Sequence, residues 1–289
     1  MQKLKRLFSG IVRYCKKHRG FFLTILLAIS LLIYYYGKTL TSINHVYFGS
    51  SGDGLQSYYT SLYHIKYDTS YSVFQGMNYP FGDHVIYSNC QPAISNTIKF
   101  ISSNITDISG YTVGIINLMM LISLVIASLF IYLIFRELKV NMYYAAIVAV
   151  GIAFLSPLVH RFSSHYSLSY VFTIPAIIYF IFLFDRKRNW KISLILGLVL
   201  LLMSSFHAYN YAFAAILILF YWLIKFFSEK SFRNIRFLSL NLLLQIILPI
   251  LILNLWVLLS DAATDRTAYP WGLLVYKSGW EGIFLQDQN

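Results

Sequence analysis

Charged residues are scarce in this chain of 289 residues: Asp, Glu, Lys and Arg make up 12%, whereas hydrophobic residues make up 58%. A water-soluble domain normally carries about 25% charged residues. So few charges cannot cover so much apolar surface in water, which excludes an ordinary soluble globular protein. The sequence instead contains apolar runs of roughly 17 to 25 residues, the length needed to cross a bilayer, separated by short charged loops.

Cysteine is almost absent, and the two that are present, Cys15 and Cys90, are predicted to lie on opposite sides of the membrane. They cannot pair within one chain, which excludes a disulfide framework. A small-residue cleavage site is also missing after the first apolar run, where Tyr34, Tyr35 and Tyr36 stand instead. That run is therefore predicted to be an uncleaved anchor and not a signal peptide.

The net charge of +12 poses the question of whether nucleic acid is a partner. When the apolar runs are threaded alternately across a membrane, most of the 23 lysines and arginines fall on the side of the N-terminus. The exceptions on the other side are Lys38, Lys66, Lys99, Arg161, Arg266 and Lys277. This is the bias of cytoplasmic loops, so the basic N-terminus (1–20) is predicted to be cytoplasmic. Nucleic acid is not needed to explain the charge.

The predicted fold is an all-α, polytopic transmembrane helical bundle of about seven spans, covering residues 21–259. The first outer loop (41–110) is long and is predicted to contain an amphipathic surface helix over Asp53–Ile65, a turn at Met77–His84 and a short helix over Ile94–Ile101. An outer C-terminal segment (260–289) follows. The predicted spans are residues 21–36, 111–135, 142–158, 168–184, 192–206, 211–227 and 237–259.

Asp53 is the leading candidate for a catalytic group. It stands between Gly52 and Gly54, which allow a backbone to approach a ligand closely. One reaction that needs such a group is glycosyl transfer, in which a carboxylate takes the proton from the acceptor hydroxyl or orients that hydroxyl toward the anomeric carbon of the sugar. The alternative is structural, because Asp53 with Gln56 three residues later has the spacing of a helix N-cap with its partner.

Asp83 and His84 form a second candidate pair, as a further catalytic carboxylate and as a contact for the sugar or acceptor. The alternative is a polar turn, since Pro80 and Gly82 interrupt the segment before them. The outer carboxylates and histidines together have the chemistry to hold a divalent cation, but no spacing among them is diagnostic of metal ligands. A divalent cation therefore stays an open expectation without assigned ligands.

Arg161 and His165 lie where the third and fourth predicted spans meet on the outer side. The positive-inside bias gives Arg161 no reason to be there. A guanidinium binds phosphate through two parallel hydrogen bonds, so both residues are candidates for binding the phosphate of a lipid-linked donor. The alternative is an arginine that reaches lipid headgroups.

His207 and Tyr209 lie at the next outer turn. They offer hydrogen bonds and a ring for stacking, and are candidates for binding the acceptor or the sugar. The alternative for the tyrosine is a place in the interfacial aromatic belt.

These segments taken together resemble a known family. A first span followed by a long outer loop that opens with Gly52-Asp53-Gly54 resembles the glycosyltransferase-C superfamily, which includes protein O-mannosyltransferases, oligosaccharyltransferases and aminoarabinose transferases. The resemblance is closest to bacterial YfhO-like membrane proteins and spans most of residues 45–285. It is carried by the segments Gly52–Gln56, Gly76–His84, Gln91-Pro92 and His165–Ser169.

The resemblance implies a glycosyltransferase-C-like membrane enzyme that moves a sugar from a polyprenyl-phosphate donor to an envelope acceptor, on the outer side of the bacterial cytoplasmic membrane. The superfamily's catalytic acid in the first outer loop maps onto Asp53. The expected partners are the lipid-linked donor and membrane lipids. Relatives continue into further helices, so a chain that ends at Asn289 is expected to be a truncated product whose activity is open.

Two alternative functions stay open. Transporters and lipid flippases usually show repeated halves and polar groups near the bilayer midplane. The sequence shows no internal repeat and no charged residue in the middle of a predicted span, which favours chemistry at the interface over transport. The second alternative is a non-catalytic membrane component of envelope polysaccharide assembly.

Overall fold

The computed structural model describes residues 18–49 and 51–261. Predictions that concern the basic N-terminal stretch before residue 18, Cys15, Arg266, Lys277 and the segment 262–289 lie outside the described residues. The described chain is mostly helical, in agreement with an all-α polytopic protein. Its elements are α1 (Arg19–Thr41), α2 (Gly52–Lys66), β1 (Val73–Phe74), β2 (Asp83–His84), α3 (Pro92–Asn104), α4 (Thr112–Glu137), α5 (Met142–Phe154), α6 (Thr173–Lys187), α7 (Trp190–Ser204), α8 (Ala208–Ser228), α9 (Ile235–Leu242) and α10 (Leu248–Ser260).

Shorter helical turns connect or extend several of these helices. A π-helical turn (Leu243–Ile247) joins α9 to α10 into one continuous apolar helix. The 3₁₀ turns are Ser109–Tyr111, Pro157–Ser163, Tyr166–Leu168 and Lys230–Arg233.

Six helical segments among the described residues are long and apolar enough to cross a membrane, where the sequence predicts about seven. The remaining predicted span is α7, which has 15 residues. At 1.5 Å per residue it is about 22 Å long, less than the roughly 30 Å hydrocarbon core of a bilayer. It nevertheless runs between the two ends of the bundle, as the contacts at those ends show.

Ion pairs gather the basic loops at one end of the bundle. Arg186 lies 2.7 Å from Glu137 and so joins the end of α6 to the end of α4. Arg188 lies 2.7 Å from Glu229 and so joins the α6–α7 turn to the end of α8. We call this the basic end. Its cations include Arg136, Lys139, Arg186, Lys187, Arg188, Lys191, Lys225, Lys230, Arg233 and Arg236.

The start of α1 lies at the basic end too, because the ring of Phe21 packs 6.4 Å from that of Tyr132, near the end of α4. At the opposite end, Gly49 N donates to Tyr166 Oη at 2.6 Å. Because α7 leaves the basic end and α8 returns to it, α7 crosses the bundle despite its length. The alternating passage predicted from the charges is therefore seen in the contacts.

Helix α2 confirms the predicted helix in the first long loop, and its buried face carries polar as well as apolar side chains. The apolar residues Leu55 and Tyr59 are 46% and 47% exposed, whereas Ser61 and His64 are fully buried. Polar side chains can face the protein here because they are hydrogen-bonded, as with Ser61 Oγ, which donates to the Cys90 carbonyl. Of the predicted apolar positions, Tyr58 and Ile65 are buried, and the placement of the helix along a membrane surface stays a prediction.

The predicted turn at Met77–His84 and the predicted helix at Ile94–Ile101 are both confirmed. Strands β1 and β2 pair antiparallel, with Val73 opposite His84, and the turn joins them. Gly82 takes a φ of +71° in this turn, a conformation that favours glycine. The hairpin is fixed to the last helix through Trp256 Nε1, which donates to Ser72 Oγ at 2.9 Å.

Candidate active site

Asp53 is the second residue of α2 and not its N-cap. Ser51 occupies the cap position with extended backbone, and Gly52 precedes Asp53 with a φ of +54°. The N-cap interpretation of Asp53 is therefore wrong, because the glycine allows the helix to begin before the aspartate. The Asp53 side chain is 51% exposed and is not needed to cap the helix.

The Asp53 carboxylate instead contacts a histidine from a distant part of the chain. His165 Nδ1 lies 3.2 Å from Asp53 Oδ2, and the two side chains are 37% and 51% exposed. A carboxylate beside an imidazole is a common arrangement for proton transfer, since one group holds the other in position. The structure thus joins a predicted catalytic residue to a predicted phosphate-binding residue.

Two glycines allow the loop before α2 to reach this histidine. A Cβ on Gly49 would clash with the carbonyl oxygen of Ser163, and a Cβ on Gly54 would lie 3.0 Å from the same atom. Tyr166, next to His165, accepts a hydrogen bond from Gly49 N at 2.6 Å. These close approaches fix the start of α2 against the 157–168 turns.

Burial lowers the pKa of His207 below the ordinary value, and the nearby His165 lowers it to a smaller extent. It is the N-cap of α8, and its Nδ1 accepts from Tyr209 N at 3.1 Å. With Nδ1 as an acceptor and the cationic form disfavoured, Nε2 carries the ring proton and can donate it to a ligand. The Tyr209 ring is 61% exposed and lies 4.7 Å from the His207 ring.

Arg161 lies in the 3₁₀ turn Pro157–Ser163, which contacts the loop before α2. Its side chain is exposed and forms no hydrogen bond or ion pair with residues 18–49 and 51–261. The guanidinium is therefore available to an anion, whether a phosphate group of a ligand or a lipid headgroup.

Asp83 and His84 occupy a different place. Asp83 Oδ1 accepts from His84 N at 3.0 Å. The His84 ring is buried, with Nε2 3.0 Å from Ser260 Oγ and its centroid 4.9 Å from that of Trp256. These contacts attach the hairpin to the end of α10. The catalytic and sugar-binding roles expected for the pair stay predictions, and the geometry around His84 is that of a structural anchor.

The part of the chain that the structure describes contains no group of three or more His, Cys, Asp or Glu side chains suited to hold a metal ion. The open expectation of a divalent cation therefore gains no set of ligands from these residues.

A family model matches residues 25–284, a region that includes Asp53, Arg161, His165 and His207. Its description is "domain of unknown function (DUF6311)". The chain belongs to the DUF6311 family. Comparison with curated proteins and with solved structures found no match. The family description carries no activity, so the function has to be argued from the site.

An apolar groove in this DUF6311 chain leads to the Arg161 turn. It has a volume of about 470 Å³ and is open between α1 and α5. The groove reaches Val159, two residues before Arg161. The Tyr36 ring, which also lines the groove, lies 6.2 Å from the ring of Phe162. The lining residues are Leu31, Tyr35, Tyr36, Leu124, Gly151, Phe154, Leu155 and Val159.

A buried polar network that sequence analysis missed lies at the end of α2 opposite to Asp53. His64 Nδ1 lies 2.7 Å from Asp68 Oδ2, with the two side chains 0% and 1% exposed. His64 Nε2 lies 2.8 Å from Asn96 Oδ1, and Asp68 Oδ1 accepts from Gln75 N. The four-residue separation of His64, in the last turn of α2, from Asp68, two residues beyond its end, was the available signal.

This network holds the loop that links α2 to the hairpin. Lys99, only 4% exposed, donates through Nζ to the Ser70 carbonyl, and Asn96 Nδ2 donates to the Tyr71 carbonyl at 2.9 Å. The buried charges of Asp68 and Lys99 are thus both satisfied within the first long loop. Their role is to fix that loop, and with it α2, in one conformation.

Proposed function

We propose that this protein is a membrane glycosyltransferase that moves a sugar from a polyprenyl-phosphate donor to an envelope acceptor. In this proposal the basic end faces the bacterial cytoplasm and the opposite end faces outward. The observation that carries it is the Asp53–His165 pair beside His207, at the end of the bundle away from the basic loops. The charge bias of the loops supports the orientation.

The pair supplies the proton acceptor that sugar transfer requires. As the acceptor hydroxyl attacks the anomeric carbon, a new carbon–oxygen bond forms and the bond from that carbon to the phosphate oxygen breaks. The hydroxyl proton passes to the Asp53 carboxylate, and the bonding electron pair leaves with the phosphate. His165, 3.2 Å from the carboxylate, orients it during this step.

Arg161 supplies positive charge for the departing phosphate. Negative charge accumulates on the phosphate as the bond breaks, and a guanidinium in place before reaction stabilises it without reorganisation. Burial lowers the pKa of His207 and its Nδ1 accepts from Tyr209 N, so its Nε2–H is the group that donates to the sugar.

The groove between α1 and α5 suits the hydrocarbon part of the donor. Its lining is apolar, and it ends beside the turn that carries Arg161. A lipid phosphate bound at Arg161 can therefore place its chain in the groove without exposing that chain to water.

One observation favours the transporter alternative. The last span is interrupted by the π-helical turn, where Gln245 Nε2 donates to Ser193 Oγ and Gln245 Oε1 accepts from Trp222 Nε1. Interrupted helices with polar side chains are frequent at transport sites. Here the polar atoms of Gln245 bond to neighbouring helices, which is the role of interhelical hydrogen bonds in membrane bundles. The glycosyltransferase proposal is therefore preferred.

Replacing Arg161 with Gln is expected to weaken donor binding by roughly 10- to 100-fold, the loss that follows removal of hydrogen bonds from a charged group. Envelope glycans and lipid-linked sugars are measured by mass spectrometry in cells whose own copy of the gene is removed. These cells carry the Arg161→Gln variant, the Arg236→Gln variant or the unaltered gene. We expect the lipid-linked sugar to accumulate with Arg161→Gln.

Arg236→Gln is the matched control, because Arg236 is an exposed arginine at the basic end. It should restore the glycan as fully as the unaltered gene does. If removal of the gene changes no glycan and no lipid-linked sugar, the glycosyltransferase proposal is wrong.

A further inference from the structure

Gln91 combines burial with a strained backbone and an unpaired amide. It adopts left-handed φ and ψ values of 50° and 70° at the start of α3, and its side chain is part of a residue only 1% exposed. Its Nε2 has no hydrogen-bond partner among residues 18–49 and 51–261. Both features lower stability, and such features persist mainly where function uses them.

The orientation of the amide follows from its one partner. Tyr170 Oη donates to Gln91 Oε1 at 2.5 Å, and Tyr170 is itself buried. If the amide were reversed, both the Tyr170 proton and Oε1 would lack a partner. The orientation in the structure satisfies both of those atoms and leaves the two N–H donors of Gln91 available.

Contacts place Gln91 close to the turn that leads to His207. Ala93 N donates to the Ser205 carbonyl at 2.9 Å, so the start of α3 lies against the turn that leads to His207. The Tyr170 ring packs 4.6 Å from that of Phe206, the residue before His207. Gln91 therefore adjoins both the His207 turn and the segment that follows His165.

We propose that Gln91 is a substrate-recognition residue, whose amide N–H₂ donates to an oxygen of the sugar carried by the lipid donor. This inference rests on the proposed function. An uncharged amide donor in buried surroundings suits a neutral sugar oxygen, whereas phosphate is better matched by the charged Arg161. The stability lost in the free protein is recovered when the sugar oxygen accepts the bond.

The test compares binding with stability in the double variant Gln91→Met/Tyr170→Phe, which removes both members of the buried polar pair. The probes are polyprenyl phosphate and the tightest binder among polyprenyl-phosphate glucose, mannose and galactose, in detergent micelles. We expect at least a tenfold loss of affinity for the sugar-bearing lipid, an unchanged affinity for polyprenyl phosphate, and a Tm equal to or above that of the unaltered protein.

Tyr170→Phe alone measures the contribution of the tyrosine: it keeps both N–H donors of Gln91 but removes the proton that fixes their orientation. It should therefore lose less affinity for the sugar-bearing lipid than the double variant loses. If the double variant fails to insert, Gln91→Glu keeps the shape and replaces the donor with an acceptor, so it serves the same comparison. A lower Tm with full affinity for the sugar-bearing lipid would overturn the inference and leave the proposed function standing. If the unaltered protein binds neither lipid, the inference and the proposed function are both wrong.

Discussion

Replacing Asp53 with Asn is expected to lower sugar transfer by about 10²- to 10⁴-fold, the range for loss of a group that transfers a proton. The amide keeps the shape of the carboxylate but cannot accept the acceptor's proton. Stability should hardly change, because an exposed side-chain contact such as Asp53–His165 contributes only about 0–1 kcal/mol. Transfer is measured in membranes that carry equal amounts of the inserted variant and the unaltered protein.

Asp107→Asn is the control for this experiment. Asp107 is an exposed carboxylate in the same long loop, where it accepts from Ser109 N at 2.9 Å. We expect its replacement to leave transfer unchanged. Normal transfer by Asp53→Asn would remove Asp53 from the mechanism and favour a non-catalytic role in polysaccharide assembly.

Replacing Asp68 with Asn is expected to destabilise the protein by about 3–5 kcal/mol, the cost of leaving buried charge without its partner. Lys99 would lose its nearby carboxylate, and His64 would lose a charged acceptor for Nδ1. In a chain of this size such a loss lowers the Tm by on the order of 10 °C. Thermal unfolding in detergent, monitored by circular dichroism, measures it.

Two His–Asp pairs among the described residues provide a matched comparison. The Asp53–His165 pair is exposed and the Asp68–His64 pair is buried, so the same Asp→Asn change should affect transfer in the first and stability in the second. An Asp68→Asn protein as stable as the unaltered one would show that the buried network does not fix the loop.

Sequence analysis found the spans and their alternation because both depend on simple periodic or compositional signals. Apolar run length predicts a crossing helix, and the charge bias orders the loops. The Arg186–Glu137 and Arg188–Glu229 pairs show the basic loops together as predicted. The short helix α7 still crosses the bundle, which charge parity indicated and length alone did not.

Local signals were weaker guides to side-chain environment. The burial of Ser61 and His64 on α2 depends on their partners Cys90, Asp68 and Asn96, which a hydrophobic pattern cannot show. The capping interpretation of Asp53 failed because one residue with positive φ, Gly52, moved the start of the helix. The contact of His84 with Ser260, and the orientation of the Gln91 amide by Tyr170, both involve residues far apart in sequence.

The contact between Asp53 and His165 was not predictable from spacing, although each residue was singled out for its own reasons. It needs two glycines that allow the loop before α2 to approach the carbonyl of Ser163. Arg161 lies in the same turn as Ser163, and His207 lies at the same end of the bundle, at the start of α8. The proposed function requires that this end lies outside the cytoplasm.

Accessibility labelling tests this claim most directly. Single cysteines are placed at Asp53, Arg161 and Tyr209, and at Lys139 and Arg188 as basic-end references, in a protein with Cys15 and Cys90 replaced by serine. A membrane-impermeant maleimide added to intact cells should label the first three positions and reach the two references only after the membrane is opened. Labelling of Asp53, Arg161 or Tyr209 only after opening would place the candidate active site in the cytoplasm and contradict the account.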